Sequence, residues 1–375
     1  MFLRVTCRVI RVVLFTVFFT VKIRFLPFEK RFNMSDKFEY KLHGNAYPEY
    51  EVLLKIGDGT YGNVYKAKHK KSGEIVAFKE FICDDAIEEL PKPAVSEIDA
   101  YKQLKHDNII TFLDHMKITI LENAELKYYG VLMFECGHFT LKSFMFKPGF
   151  IIENLEIKTI MRQLLSGLNY MHTNDFLHRD LKPSNIVITK EGITKIIDLG
   201  MSKKLPTIGV DSEIIMTNRV GLRSYKAPEL YFGDVHYGKS IDVWSVGCIF
   251  YEFYSRKLLF EGTDGKDVLD KIMKSCGTPI DGIWPDVKKL PFYENLKDST
   301  SRERKITDDF KKIAKDELSH DLFDNFIVYD PEKRITCSDA LKHNYFAKCN
   351  QPDVSELVKR FDAYQQDEKA NEKER

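Results

Sequence analysis

Two short segments constrain this chain more than anything else in it. One is His178-Arg179-Asp180-Leu181-Lys182-Pro183-Ser184-Asn185; the other, Asp198-Leu199-Gly200, begins thirteen positions after Asn185. A three-residue match would carry little weight, because short motifs arise by chance. Eight residues in register with a second, correctly spaced triplet are far more specific. Apolar Ile186-Val187-Ile188 and Thr194-Lys195-Ile196-Ile197 read as two short strands flanking a turn at Lys190-Glu191-Gly192. Asn185 and Asp198 therefore fall at strand ends.

The residue types are those that phosphoryl transfer to a hydroxyl requires. A carboxylate (Asp180) must sit beside the acceptor hydroxyl to take its proton. An ammonium (Lys182) must lie near the transferring phosphate, and an amide and a second carboxylate (Asn185, Asp198) must hold Mg²⁺ against the phosphate oxygens. The set resembles the catalytic segments of eukaryotic protein kinases, and these roles follow that template.

The resemblance implies a nucleotide roof upstream. Ile56-Gly57-Asp58-Gly59-Thr60-Tyr61-Gly62-Asn63-Val64 supplies it. A lone Gly-x-Gly-x-x-Gly is weak evidence, but strand-type residues flank this one on both sides. Glycines let a hairpin backbone approach phosphates with no Cβ in the way. A dinucleotide-binding turn would instead need a helix after the third glycine. Ala77 and Lys79 follow on the apolar strand Ile75-Val76-Ala77-Phe78-Lys79. Lys79 resembles the lysine that pairs with the α- and β-phosphates. Its expected partner is Glu97, on a helix opened by Pro91-Lys92-Pro93 in which Ile98, Tyr101 and Leu104 recur at helical spacing. The implied hinge is Phe134-Glu135-Cys136-Gly137, with Phe134 behind the adenine and the Glu135 carbonyl and Cys136 backbone bonding its edge. Downstream, Ala227-Pro228-Glu229, Asp242 and Asp330-Pro331-Glu332-Lys333-Arg334 match structural parts of the family. Glu229 is expected to pair with Arg334, and Asp242 to cap backbone near the catalytic loop.

The implied fold is α+β and two-lobed: a small lobe with a five-stranded antiparallel sheet and one helix (residues 50–136), and a larger, mainly helical lobe (137–346). The implied cofactors are ATP and Mg²⁺. A chain of 375 residues, 43% hydrophobic, can bury such a core. Its net charge of +1 gives no whole-chain drive towards nucleic acid or membrane. Seven cysteines without paired or metal-type spacing fit a reduced compartment, so the expected location is cytoplasmic, nuclear or both.

The ends differ from the middle. Residues 1–31 carry seven Lys and Arg against the single Glu29, around an apolar run from Val12 to Val21. The run looks like a signal-peptide core, yet no small-residue cleavage site follows, and it falls short of the roughly 18 residues a spanning helix needs. Met34-Ser35-Asp36-Lys37 reads as an ordinary start, so residues 1–33 need not be translated; they open an extension, residues 1–45, that the mature protein need not contain. A membrane-surface anchor is the alternative. Residues 347–375 read as a charged tail, expected to fray from Asp367 onward.

Leu258-Leu259-Phe260-Glu261-Gly262-Thr263 and Gly277-Thr278-Pro279, with Trp284-Pro285, resemble the large-lobe insert of cyclin-dependent kinases. Against that group's pattern, Thr217 occupies the activation-segment phosphothreonine position. Of the three arginines that gather round such a phosphate, Arg179 is present, while Ser96 and Lys203 stand where the others would be. Lysine offers a point charge in place of a bidentate fork. Ser224-Tyr225-Lys226 replaces the Trp-Tyr-Arg of members that select proline after the acceptor. Leu222 replaces a threonine that bridges the positions of Asp180 and Lys182, leaving Ser224 or a water to substitute.

These departures resemble the monomeric CDK-activating kinases of fungi. That likeness implies a serine/threonine kinase, of the cyclin-dependent kinase class of transferases, acting on the activation-segment threonine of cyclin-dependent kinases, with no cyclin required. A divergent cyclin-dependent kinase that needs a cyclin-type partner is the alternative. An inactive kinase-fold scaffold is the other, and the retained Lys79, Asp180, Asn185 and Asp198 count against it.

Overall fold

The computed structural model describes residues 47–59, 62–83, 90–122, 125–206, 216–218, 220–279, 282–296, 301–347, 349–350 and 352–374. The N-terminal extension, and Thr60 and Tyr61 of the glycine-rich loop, lie outside them.

The first five strands are β1 (Tyr50–Gly59), β2 (Gly62–His69), β3 (Ile75–Cys83), β4 (Phe112–Glu122) and β5 (Glu125–Glu135). They form one antiparallel sheet in the order β1-β2-β3-β5-β4. Helix α1 (Lys92–Gln103) interrupts them between β3 and β4. It starts where the prolines predict, since the orphan amides of a first turn tolerate a missing N–H. The residues at helical spacing, Ile98, Tyr101 and Leu104, are all buried. The expected small lobe is therefore present.

The larger part is helical. Its longest members are α2 (Asn154–Thr173), α3 (Ser240–Ser255) and a last helix, α4 (Ser355–Glu374). A capping box starts α2: the Glu153 carboxylate accepts from the Glu156 backbone amide, and the Glu156 carboxylate accepts from the Glu153 amide at 2.8 Å. Short strands β6 (Phe139–Thr140), β8 (Ile186–Ile188) and β9 (Thr194–Ile196) make a second small sheet. Strand β7 (Phe176–Leu177) pairs with β10 (Lys203–Lys204). The β8–β9 hairpin turns at Gly192, whose φ of +83° suits glycine.

Two buried ion clusters hold the larger lobe, both as the sequence implies. Arg334 donates to both Glu229 oxygens, at 2.7 and 3.0 Å, with neither side chain exposed. It also lies over the Trp244 ring, 5.2 Å from the centroid. Asp242 accepts from the amides of His178 and Arg179 and from His172, at 2.8–2.9 Å.

The C-terminal segment departs from expectation. Residues 355–374 are helical, including the stretch from Asp367 expected to fray. The reason is packing. Val354, Leu357, Val358 and Phe361 are buried, and the Phe361 ring sits 4.9, 5.6 and 5.1 Å from those of Phe139, Phe144 and Phe150. The charges pair with the body of the fold: Arg360 with Glu156 at 2.6 Å, Asp362 with His138 at 2.8 Å, and Glu368 with Lys147 at 2.7 Å. The Val354 amide also donates to the Gly192 carbonyl at 3.0 Å, bracing the β8–β9 turn. Phe361→Ala should therefore cost about 3–5 kcal/mol, as for other buried aromatic truncations. Urea unfolding monitored by circular dichroism checks this, and a cost below about 1 kcal/mol would mean that the helix is not docked through this ring.

Candidate active site

Lys79 lies on β3 opposite Val64 of β2, and Ala77 lies opposite Phe134 of β5. Val64 and Ala77 therefore lie on neighbouring strands of the sheet that carries Lys79, both half-buried. The loop glycines differ in kind. A Cβ at Gly62 would meet the Glu80 carbonyl oxygen at 2.1 Å, so the backbone there admits no side chain. At Gly57 a Cβ would find only ordinary contact with Val64, leaving open the role of keeping space for a ligand. Ile56 is well exposed on the roof.

Lys79 Nζ donates to Glu97 Oε1 and Oε2 at 2.9 and 2.7 Å, and to Asp198 Oδ1 at 2.7 Å. The pair predicted from sequence is formed, and Glu97 is fully buried on α1. Burial disfavours the Lys79 ammonium, but Glu97 and Asp198 outweigh it and hold the lysine charged. Burial likewise works to raise the Asp198 carboxyl, and the charge on Lys79 overcomes it, bringing that carboxyl below the usual range. Glu97→Gln keeps the shape and removes the charge that orients Lys79. Turnover should fall about tenfold, equivalent to about 1.4 kcal/mol of transition-state stabilisation. Steady-state kinetics check it, and a silent variant would make Glu97 an ordinary helix residue.

Asp180 sits in a closed set of donors. Lys182 Nζ reaches its Oδ2 at 2.5 Å, Asn185 Nδ2 reaches the same oxygen at 3.1 Å, and the Leu222 amide reaches Oδ1 at 3.1 Å. At Leu222, where the family carries a threonine bridging the positions of Asp180 and Lys182, the backbone N–H reaches the Asp180 side of that bridge. Asn185 spends its amide nitrogen on Asp180, including the main-chain oxygen at 2.9 Å, so its amide oxygen is the end available to a cation. Arg179 and Asp198 have left-handed backbones, with φ of 69° and 64°. Non-glycine residues held this way are characteristic of functional sites, each costing about 1–3 kcal/mol. The Asp242 bonds to the His178 and Arg179 amides maintain the first of these. Burial tends to raise the Asp242 carboxyl, and His172 with His178 holds it below the ordinary range.

At the hinge, Phe134 is buried, with its ring 5.0 Å from that of Tyr101 on α1. The Glu135 side chain faces away, accepting from Lys195 at 2.8 Å and from the Thr111 amide at 2.6 Å. Any contact of Glu135 with a nucleotide is therefore through its backbone. The Cys136 thiol, pushed up by burial, donates to the Gly137 carbonyl at 3.3 Å, which agrees with a backbone role there too.

The activation segment rests on one residue that sequence reasoning missed, Glu252. Tyr225 is buried and donates to Glu252 Oε2 at 3.0 Å. Among the described residues, nothing bonds Glu252 Oε1, and burial pushes that carboxyl up to about 8. The unfolded chain gives up this proton near the ordinary value of about 4.5, whereas the folded protein keeps it to about 8. Stability from this group is therefore lost as pH rises through that window. Glu252→Gln removes the titration, so the melting-temperature difference (variant minus wild type) should grow between pH 5 and pH 8; a constant difference would refute the assignment. Lys226 Nζ donates to the Asn218 carbonyl at 2.5 Å and lies 5.1 Å from the Tyr231 ring centroid. Thr217 is held by its own main-chain carbonyl, which accepts from Tyr237 Oη at 2.8 Å. Ser96 and Lys203 are exposed.

A lysine–glutamate pair between a glycine-hairpin sheet and its helix, with a carboxylate in the loop before a second hairpin and an amide and a carboxylate at that hairpin's ends, defines a protein kinase. A sequence profile of the protein kinase domain matches residues 50–346. Cyclin-dependent kinase C-2 of Oryza sativa subsp. japonica is 38% identical over 306 residues, covering 79% of this chain and 59% of the rice protein. Cyclin-dependent kinase 9 of Bos taurus is 34% identical over 298 residues, covering 80% of each. Among solved structures, a chain of the yeast RNA Pol II CTD kinase CTDK-1 complex superposes with a TM-score of 0.71 at 27% identity, over 88% of this chain and 99% of that one. This chain belongs to the protein kinase family, within its cyclin-dependent kinase group. The family's cofactors are ATP and Mg²⁺, and the donors here fit them. Asn185 and Asp198 offer one amide and one carboxylate oxygen, hard ligands few enough to leave positions for phosphate oxygens and water.

Proposed function

We propose that the chain transfers the ATP γ-phosphate to a serine or threonine of a folded protein, the activation-segment threonine of cyclin-dependent kinases, with no requirement for proline after the acceptor. The observation that carries this is the position of Lys226. In place of the arginine of proline-selecting members stands a lysine whose ammonium is spent on the Asn218 carbonyl. Five residues earlier, Gly221 takes a φ of +76°, and a Cβ there would meet the Arg179 carbonyl oxygen at 3.0 Å. That geometry supports a wall shaped by backbone, where a flat guanidinium would otherwise stand. The expected setting is cytoplasmic or nuclear.

The closed Lys79–Glu97 pair and the tethered segment also support activity without a phosphate at Thr217. Thr217→Ala keeps every main-chain tether, so phosphatase-treated variant and wild type should differ by less than about threefold. A loss of about a hundredfold, the scale of several charge-assisted bonds, would mark a phosphorylation-dependent kinase.

A second reading follows the relatives: a kinase working with a cyclin-type subunit on a substrate such as an RNA Pol II CTD. The exposure of Ile82 at 67% and Val95 at 42%, at the end of β3 and on the outer side of α1, favours it, since apolar side chains left in water are what a partner covers. The test presents purified chain and MgATP to a folded, catalytically dead cyclin-dependent kinase and to Ser-Pro repeat peptides, each with and without cyclin. Labelling of the folded kinase without cyclin supports the first reading. Labelling confined to Ser-Pro repeats in the presence of cyclin overturns it in favour of the second.

A further inference from the structure

Arg179 follows His178 in the catalytic loop, and its side chain is already engaged. Nε donates to the Met201 carbonyl at 2.7 Å, and Nη1 donates to Tyr237 Oη at 3.1 Å. The same hydroxyl donates onward to the Thr217 carbonyl at 2.8 Å, while the Met216 amide donates to the Val235 carbonyl at 3.0 Å. Met201 lies just after Asp198-Leu199-Gly200, at the start of the activation segment, and Thr217 lies in its far part. One guanidinium and one phenol therefore tie the two ends of the segment to the catalytic loop.

We infer that Tyr237 is a positioning residue whose hydroxyl takes the place of a phosphate on Thr217, clamping the activation segment to Arg179. A hydroxyl suits the task because it accepts from the guanidinium and donates to a carbonyl at once. A phosphate accepts only, and orders a loop best against several cations. Among the described residues, the two other cage positions do not supply arginine: Ser96 is uncharged and exposed, and Lys203 is an exposed ammonium on β10. Burial pushes the Tyr237 phenol up, with Arg179 opposing, so it stays protonated and able to donate. The clamp ends where chemistry begins. Asp180 follows Arg179, and the Leu222 amide that bonds Asp180 Oδ1 lies five residues beyond Thr217. The inference rests on phosphoryl transfer at this site and not on which protein receives the phosphate.

Tyr237→Phe removes the hydroxyl and keeps the ring. With phosphatase-treated protein and dephosphorylated casein as acceptor, kcat should fall about tenfold, the scale of a hydrogen bond to a charged group, while KM for ATP stays unchanged. Hydrogen exchange across residues 216–226 should speed up in the same variant, a readout independent of any acceptor. Phosphothreonine installed at position 217 should restore both, because Arg179 is then free to bind it; in wild type the same phosphate should change little. Tyr237→Phe combined with Thr217→Ala should match Tyr237→Phe alone, since the clamped atom is main chain. A Tyr237→Phe protein with wild-type exchange overturns the inference, whatever its turnover. So does a loss that appears equally in KM for ATP, or one that phosphate at 217 leaves unrepaired.

Discussion

Asp198→Asn is expected to reduce phosphoryl transfer by about 10³-fold or more while the fold survives, the scale on which a single electrostatic group at a reacting centre is felt. The substitution is isosteric, so its effect is confined to charge. Asp198 would supply one of two oxygens to Mg²⁺, and its carboxylate accepts from Lys79 at 2.7 Å. An amide can still accept from Lys79, so local geometry should hold, but the negative charge that would face the cation is gone. Single-turnover measurement with labelled ATP, alongside a thermal melt, separates the two. Activity within a few fold of wild type would remove Asp198 from the site.

Lys79→Met should be nearly as damaging, about 10²–10³-fold in kcat, because it deletes the cation meant for the phosphates. It also strands Glu97. That carboxylate has no exposure and takes both its side-chain bonds from Lys79. Leaving such a group without its partner costs several kcal/mol or forces it to take up a proton. The double variant Lys79→Met/Glu97→Gln should therefore regain stability without regaining activity. Recovery of activity in the double variant would mean that Lys79 serves only to neutralise Glu97.

The parts of the site that are side chains at fixed spacing were legible in the sequence. Asp180, Lys182, Asn185 and Asp198 belong to one hairpin and the loop before it, so their order nearly determines their proximity. Lys79 and Glu97, and Glu229 and Arg334, are distant in sequence, and the family resemblance supplied those pairings. What stayed hidden has a common physical character. The Leu222 contact to Asp180 is made by a backbone amide, which every residue but proline carries, so no residue type announces it. Tyr237 bonds Arg179, fifty-eight positions away, and a main-chain carbonyl twenty positions away, and no motif spacing links the three. The last helix is a different case. Val354, Leu357, Val358 and Phe361 do recur at i, i+3, i+4 and i+7. The charged run that follows them obscured this stripe, and three charges within and after it, Arg360, Asp362 and Glu368, pair with Glu156, His138 and Lys147 of the body.

The most direct test of the account is the initial rate at which the purified, phosphatase-treated chain moves label from γ-labelled ATP onto a folded, catalytically dead cyclin-dependent kinase, with no cyclin added and Asp198→Asn as the paired control. The account predicts stoichiometric labelling of the acceptor's activation-segment threonine by wild type, and background labelling by the variant. Equal labelling by the two proteins, or labelling by wild type only after Thr217 is phosphorylated or a cyclin is supplied, would contradict it.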